Sequence, residues 1–132
     1  MSETVREIDD LVILTLPADS AYLSVLRTAT AGLAARLDFT IDDIEDLRIA
    51  VDEACAMLLA DAPPGAELTC RFDLESTLIR VAVSVAGRGA RLPARDSFAW
   101  TVLSALAGEV DAVTSPTGET TIRLVKRKGE QT

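Results

Sequence analysis

Hydrophobic and polar positions along the chain follow two different periods, and the changes of period divide it into elements. Residues 8–16, which are almost continuously apolar from Leu11 onward, predict a first strand that ends at Pro17, with Leu11, Ile13 and Leu16 facing inward. The following segment predicts a helix that runs to about residue 37. Its apolar stripe recurs at spacings of three and four: Tyr22, Leu26, Ala29, Leu33 and Leu37.

A second helix is predicted from Thr40 to the residues before Pro63. Thr40 fits the N-cap position, and the acidic Asp42 and Asp43 in the first turn suit the positive end of the helix dipole. One face of this helix is apolar: Leu47, Val51, Ala54, Cys55 and Leu58.

The second half of the chain begins with alternation of period two, which predicts two strands joined as a hairpin. Their inward positions are Leu68, Cys70, Phe72 and Leu74 on the first strand, and Ile79, Val81, Val83 and Val85 on the second. A third helix is predicted over residues 97–110 and a last strand over residues 120–126. The order strand, helix, helix, two strands, helix, strand predicts an α/β two-layer sandwich with the helices on one face of the sheet.

Length and composition limit the class of protein. A chain of 132 residues that is 48% hydrophobic predicts a single domain over residues 1–132 with one core. No apolar run reaches the roughly 20 residues of a membrane span, and the start is acidic rather than signal-like, so we expect a cytoplasmic protein without a membrane partner. The absence of histidine excludes a Ser-His-Asp triad, a Cys-His dyad and the usual zinc sets. The two cysteines, Cys55 and Cys70, are interpreted as buried reduced thiols, with a redox pair or a metal site as alternatives.

The charge is concentrated in one segment. The net charge of the chain is −8, which argues against nucleic acid as a direct partner. Residues 38–61 contain eight acidic side chains against Arg48 alone. This segment is either a solvated helix face or a docking surface for a basic protein, because complementary charge steers encounter. The candidate partner-binding residues are Asp42, Asp43, Glu45 and Asp46.

Two blocks of residues carry a resemblance to a known family. They are Asp46–Leu59 (DLRIAVDEACAMLL) and Asp96–Leu106 (DSFAWTVLSAL). Together they resemble the anti-sigma-factor serine kinases of the GHKL ATPase superfamily, in particular a divergent actinobacterial branch. This resemblance implies a Bergerat-type fold, with a mixed, mainly antiparallel sheet and three helices on one face.

The resemblance also identifies where a nucleotide would bind, and the first of three elements is altered here. In these kinases one helix carries Glu-x-x-x-Asn, in which the Glu acts as base and the Asn holds Mg²⁺. Glu53 is retained, but Met57 occupies the Asn position. A thioether is a poor ligand for Mg²⁺, which prefers hard oxygen donors. Met57 is therefore interpreted as a packing residue, and Glu53 as a surface acid that has no nucleotide to act on. No metal is expected.

The second element is Asp-x-Gly-x-Gly, in which the Asp accepts a hydrogen bond from the adenine amino group. The matching residues here are Val85, Ala86, Gly87, Arg88 and Gly89. Valine cannot accept this bond, and an unpaired buried amine costs roughly 1–3 kcal/mol. Gly87 and Gly89 are explained by a turn after the strand as well as by a ligand.

The third element is a glycine-rich loop before the last helix, which holds the phosphates in the family. The matching segment, residues 91–98, contains no glycine, and Asp96 or Ser97 is expected to cap the helix. Arg88, Arg91 and Arg95 are the remaining candidates for contacts to an anion.

These substitutions predict an anti-sigma factor that works by binding alone. By family resemblance, the expected partners are an alternative sigma factor, which the protein sequesters, and an anti-anti-sigma antagonist, which releases it. ATP binding and kinase activity are expected to be lost, so no cofactor is expected. Two alternatives stay open: a serine protein kinase that phosphorylates the antagonist with Glu53 as base, and a sensor of another anionic ligand. A homodimer through the first helix or an edge strand is also left open.

Overall fold

The computed structural model describes residues 8–87 and 94–129. Three α-helices, a short 3-10 turn and five strands are found in this part of the chain. In chain order they are β1 (Asp9–Pro17), the 3-10 turn (Ser20–Tyr22), α1 (Leu23–Arg36), α2 (Ile41–Leu59), β2 (Glu67–Glu75), β3 (Leu78–Ala86), α3 (Phe98–Leu106), β4 (Glu109–Thr114) and β5 (Glu119–Arg127).

The strands form one sheet in the order β1-β2-β3-β5-β4, and all four neighbouring pairs are antiparallel. The alternation predicted for the hairpin is confirmed, because the inward positions of β2 and β3 are buried. A row across the sheet joins Phe72, Val81, Leu124 and Val110 at directly paired positions. The helices cover this side and share one apolar core with it, so the predicted two-layer sandwich is confirmed.

The inward positions predicted for the first strand are partly wrong. Leu11 and Ile13 are 49% and 57% exposed, while Val12, Leu14 and Leu16 are the half-buried residues packed against the core. Apolar residues stand on both faces of the strand, so its sequence pattern alone does not show which face is buried. The register decides it, since Val12 pairs with Phe72 and therefore shares its face.

The third helix is shorter than predicted, and a strand was missed. The backbone leaves helical geometry at Ala107 (φ −110°, ψ 116°), and β4 begins two residues later, whereas the prediction continued the helix to residue 110. Ala112 of β4 is buried opposite Ile122, so pairing with β5 overrides the apolar helical pattern.

The stripe predicted for the first helix is also partly displaced. Leu26 and Leu37 are buried as expected, but Tyr22 is exposed and belongs to the 3-10 turn, which Asp19 caps by accepting a hydrogen bond from the Ala21 N–H. The buried positions within α1 are Leu23, Leu26, Thr30 and Ala34. The buried positions differ from the predicted stripe because α1 begins only after the 3-10 turn.

Within residues 8–87 and 94–129, no helix is long and apolar enough to cross a membrane.

Candidate functional site

The helix that carries Glu53 and Met57 is fixed at its start by the predicted cap. The Thr40 hydroxyl accepts a hydrogen bond from the Asp43 N–H at 3.1 Å. Glu53 and Met57 lie one turn apart on α2, both are half-buried, and Met57 packs against the core. A thioether at this position is a poor ligand for Mg²⁺, which prefers oxygen donors. Within the described residues no three acidic or cysteine side chains are grouped to hold a metal ion.

Val85 lies in the sheet beside a polar residue that the sequence analysis missed. Val85 is buried on β3 and pairs directly with Thr120 of β5. Thr120 is fully buried, and its Oγ1 has no hydrogen-bond partner among the residues that the structure describes. The one sequence signal was a threonine in phase with the buried Ile122 and Leu124. A buried hydroxyl group without a hydrogen-bond partner is rare in folded proteins, and here it lies beside Val85.

Gly87 has a packing role. An added Cβ would lie 2.6 Å from Cδ of Pro63, in the loop after α2. The Gly87 N–H donates to the Gly118 carbonyl at 3.4 Å. These contacts bring together the end of β3, the loop after α2 and the turn before β5. Gly89, Arg88 and Arg91 lie outside the described residues.

The start of α3 carries the one described arginine of the predicted anion-binding set. Ser97 caps the helix by accepting from the Trp100 N–H at 3.1 Å, which confirms the predicted cap. The Arg95 guanidinium lies 4.7 Å from the Trp100 ring centre and 3.2 Å from Oδ1 of Asp111. Hydrogen bonds from Arg123 first, and then from Arg95, lower the pKa of Asp111. Arg95 therefore already faces a carboxylate, which competes with any anionic ligand.

The acidic start of α2 is partly neutralised from inside the protein. Lys126 of β5 extends its Nζ to within 3.7 Å of Asp43 and 3.6 Å of Asp46, and donates a hydrogen bond to the Leu106 carbonyl at 3.0 Å. Glu45 pairs with Arg48 at 2.9 Å. Three of the four candidate docking carboxylates thus have an intramolecular cation.

The two cysteines are buried free thiols. Burial, with a smaller contribution from the charge of Asp52, raises the pKa of Cys55 from 9.0 to about 12. Burial first, and then Cys55, raises the pKa of Cys70. Both thiols stay protonated at neutral pH, which agrees with their interpretation as core residues.

The face of the sheet opposite the helices carries a recess of about 540 Å³ floored by Ala82. Its arginines pair with acidic neighbours: Arg71 with Asp73, Arg80 with Glu75, and Arg123 with Asp111. The mixed charge gives no preference for an anion or a cation.

Comparison with known proteins shows which proteins the chain resembles. No protein-family model matches the chain. It is 36% identical over 99 residues to the anti-sigma-F factor RsbW of Mycobacterium tuberculosis, and 35% identical over 81 residues to the serine-protein kinase RsbW of Bacillus velezensis. The chain is therefore similar to the anti-sigma-factor serine kinases. These matches cover 75% and 59% of the chain, and 59% and 51% of the two relatives.

The fold agrees with this family. A crystal structure of the RsbU and RsbW domains of Rv1364c from Mycobacterium tuberculosis superposes with a TM-score of 0.73 at 18% identity, over 92% of this chain and 33% of that one. At this identity the likeness shows the fold alone. It supports the GHKL-type sandwich predicted from the sequence.

The residues present do not fit Mg²⁺ and ATP as the family would bind them. Met57 offers sulfur where the ion needs oxygen, and Val85 offers a methyl group where the adenine amine needs an acceptor. The Thr120 hydroxyl is a hydrogen-bonding group in this corner, but it cannot replace a charged acceptor by itself.

Proposed function

We propose that this protein is an anti-sigma factor that sequesters an alternative sigma factor by direct binding, without using ATP. The observation that carries the proposal is the identity of 35–36% to RsbW proteins, one of them named an anti-sigma-F factor, in a chain that has Met57 at the Asn position of Glu-x-x-x-Asn. The family relation supports the binding role, and the substitution argues against the phosphoryl-transfer role.

The loss of nucleotide affinity is expected to be large because separate contacts fail. An adenine amine left unpaired beside Val85 costs roughly 1–3 kcal/mol, which is about a 5- to 150-fold loss of affinity. The missing Mg²⁺ ligand at Met57 lies on a different element and acts on the phosphates. Free-energy losses at independent contacts add, so the corresponding fold-losses of affinity multiply.

Without phosphoryl transfer, release of the sigma factor must come from competition. We propose that an anti-anti-sigma protein provides it, and that its availability is set by its amount or by another kinase. A sigma factor acts with RNA polymerase, so this function places the protein in the cytoplasm.

The proposal is tested by affinity capture from the cells that make the protein, with and without Mg·ATP, followed by identification of the captured proteins by mass spectrometry. A sigma factor retained equally in both conditions is expected. Capture of neither a sigma factor nor an anti-anti-sigma protein would overturn the binding role.

The serine-protein kinase is the second candidate, because Glu53 is retained on α2 one turn before Met57 and one of the relatives is named a serine-protein kinase. It predicts that Mg·ATP adds one phosphate to the captured antagonist. Intact-mass measurement gives the answer: an unchanged antagonist removes the kinase, and a gain of one phosphate that disappears in Glu53→Gln establishes it.

A further inference from the structure

The recess on the open face of the sheet is built around one short side chain. Ala82 lies on the central strand β3, and its directly paired neighbours are Arg71 of β2 and Arg123 of β5. Arg80 precedes Ala82 by two residues and therefore lies on the same face. Three long basic side chains thus surround one methyl group and leave a recess of about 540 Å³. This volume lies within the range of small-molecule sites, roughly 300–1,000 Å³.

Each of these arginines is held by its acidic neighbour, but none uses all of its donors. The ion pairs occupy Nε and Nη2 of Arg71, Nη1 of Arg80 and Nη2 of Arg123. Nη1 of Arg71, Nη2 of Arg80 and Nη1 of Arg123 make no hydrogen bond to any residue that the structure describes. A guanidinium is a rigid fork of N–H donors that matches a carboxylate, so these groups can still bind one.

The acidic residues of the lining lie further from Ala82 than the arginines do. Asp73 is paired opposite Arg80, and Asp111 is paired opposite Arg123, so each acid stands one position farther out. Glu109 lies two residues before Asp111 on the same face of β4. The recess is therefore neutral as a whole, with positive charge around its floor and negative charge along its β4 side.

We propose that this recess binds a small zwitterion of the class of the free amino acids. The ligand carboxylate lies over Ala82 and accepts hydrogen bonds from the donors of Arg71 and Arg123 that the ion pairs leave unused. The ligand ammonium lies towards Asp111 and Glu109. A ligand with both charges satisfies both parts of the lining, whereas a simple anion meets the acids and a simple cation meets the arginines.

The binding is expected to be weak. The side chains of Arg71, Arg80 and Arg123 are 53%, 50% and 52% exposed, so water competes for their donors. We expect a Kd of about 1 mM.

Heteronuclear NMR of the purified protein, titrated with each of the common amino acids, tests the class of ligand. At least one amino acid should shift the backbone amides around Ala82 in a saturable way. The same amino acid with its amine acetylated, or with its carboxylate converted to an amide, keeps only one of the two charges. Each of these derivatives should bind at least about tenfold more weakly. No saturable shift around Ala82 with any amino acid, or equal binding of either derivative, would overturn the proposal.

Two leucine variants locate the site. Ala82→Leu fills the floor of the recess and should weaken binding at least about tenfold. Ala86→Leu is the matched control, because Ala86 lies on the same strand and face but outside the lining, and this variant should bind like the parent. Far-UV circular dichroism checks that both variants fold. Unchanged binding by Ala82→Leu, or an equal loss in the two variants, would overturn the proposal.

A second pair of variants does not depend on filling the recess. Arg80→Gln removes a cation from the lining and should weaken binding several-fold. Arg36→Gln also removes an exposed arginine that pairs with an acid, but Arg36 lies at the end of α1, away from the recess, and its loss should leave binding unchanged. Equal affinities of the two variants would contradict a role for the open-face arginines.

Discussion

Thr120 offers a sharp test of the corner of the fold beside Val85. Its buried Oγ1 has no hydrogen-bond partner among the described residues, and it lies opposite Val85. Thr120→Val replaces the hydroxyl with a methyl group of similar shape and keeps the β-branched side chain that a strand favours. Removing an unsatisfied buried polar group recovers its desolvation penalty, roughly 1–3 kcal/mol. We expect the free energy of unfolding to rise by about 1 kcal/mol or more.

The chain provides a matched control at Thr30. This residue is also fully buried, but its Oγ1 donates to the Leu26 carbonyl at 2.8 Å within α1. Thr30→Val makes the same chemical change and loses a satisfied hydrogen bond, which contributes about 0.5–1.5 kcal/mol. The two variants should therefore move stability in opposite directions.

Urea unfolding of the parent and both variants measures the difference. The slope of the unfolding free energy against urea concentration should be the same for all three proteins, so that differences in midpoint report differences in stability directly. If Thr120→Val loses as much stability as Thr30→Val, then the Thr120 hydroxyl is satisfied in the folded protein. The corner beside Val85 would then carry no unsatisfied polar group, and this part of the account would be wrong.

Three further predictions concern other parts of the structure. Gly87→Ala should lower the free energy of unfolding by about 1–3 kcal/mol, because the new Cβ would lie 2.6 Å from Pro63 Cδ. The control is Gly32→Ala, in open space within α1, which should raise the free energy of unfolding by about 0.5–1 kcal/mol in the same urea assay. Lys126→Met should lower the free energy of unfolding by about 1–2 kcal/mol, since the variant leaves Asp43 and Asp46 at the start of α2 without their cation. Unchanged stability in low-salt urea unfolding would contradict that pairing. Because the folded pKa of Cys55 lies near 12 against 9.0 for an ordinary thiol, its contribution to stability is complete below pH 9 and is lost as pH rises towards 12. The parent should therefore lose up to about 1.4 kcal/mol per pH unit more than Cys55→Ala above pH 9, and parallel pH profiles would refute this shift.

The elements with one buried face could be predicted from the sequence. The alternation in β2 and β3 and the cap at Thr40 are local signals, and each of them agrees with the structure. The buried face of β1 could not be predicted, because apolar residues stand at nearly every position from Leu11 to Leu16 and only the pairing with β2 selects a face. Strand β4 was missed because six residues containing two acids carry little signal beside an apolar helix.

The candidate site divides in the same way. Helical periodicity places Glu53 and Met57 one turn apart, as the structure has them, whereas the Mg²⁺ position assigned to Met57 is a prediction from the family resemblance. The pairing of Val85 with Thr120 depends on the β3–β5 register, which the sequence pattern does not contain. The neutralisation of the acidic helix start by Lys126 joins residues about 80 positions apart, and only the fold brings them together.

The most direct test of the central claim is the affinity of the purified protein for its sigma factor, measured by isothermal titration calorimetry in EDTA and again in saturating Mg·ATP. The account predicts the same Kd in both buffers and no heat when Mg·ATP is titrated into the protein alone. A Kd that tightens tenfold or more with Mg·ATP would show that the nucleotide site works despite Met57 and Val85, and absence of binding in both buffers would contradict the proposed function itself.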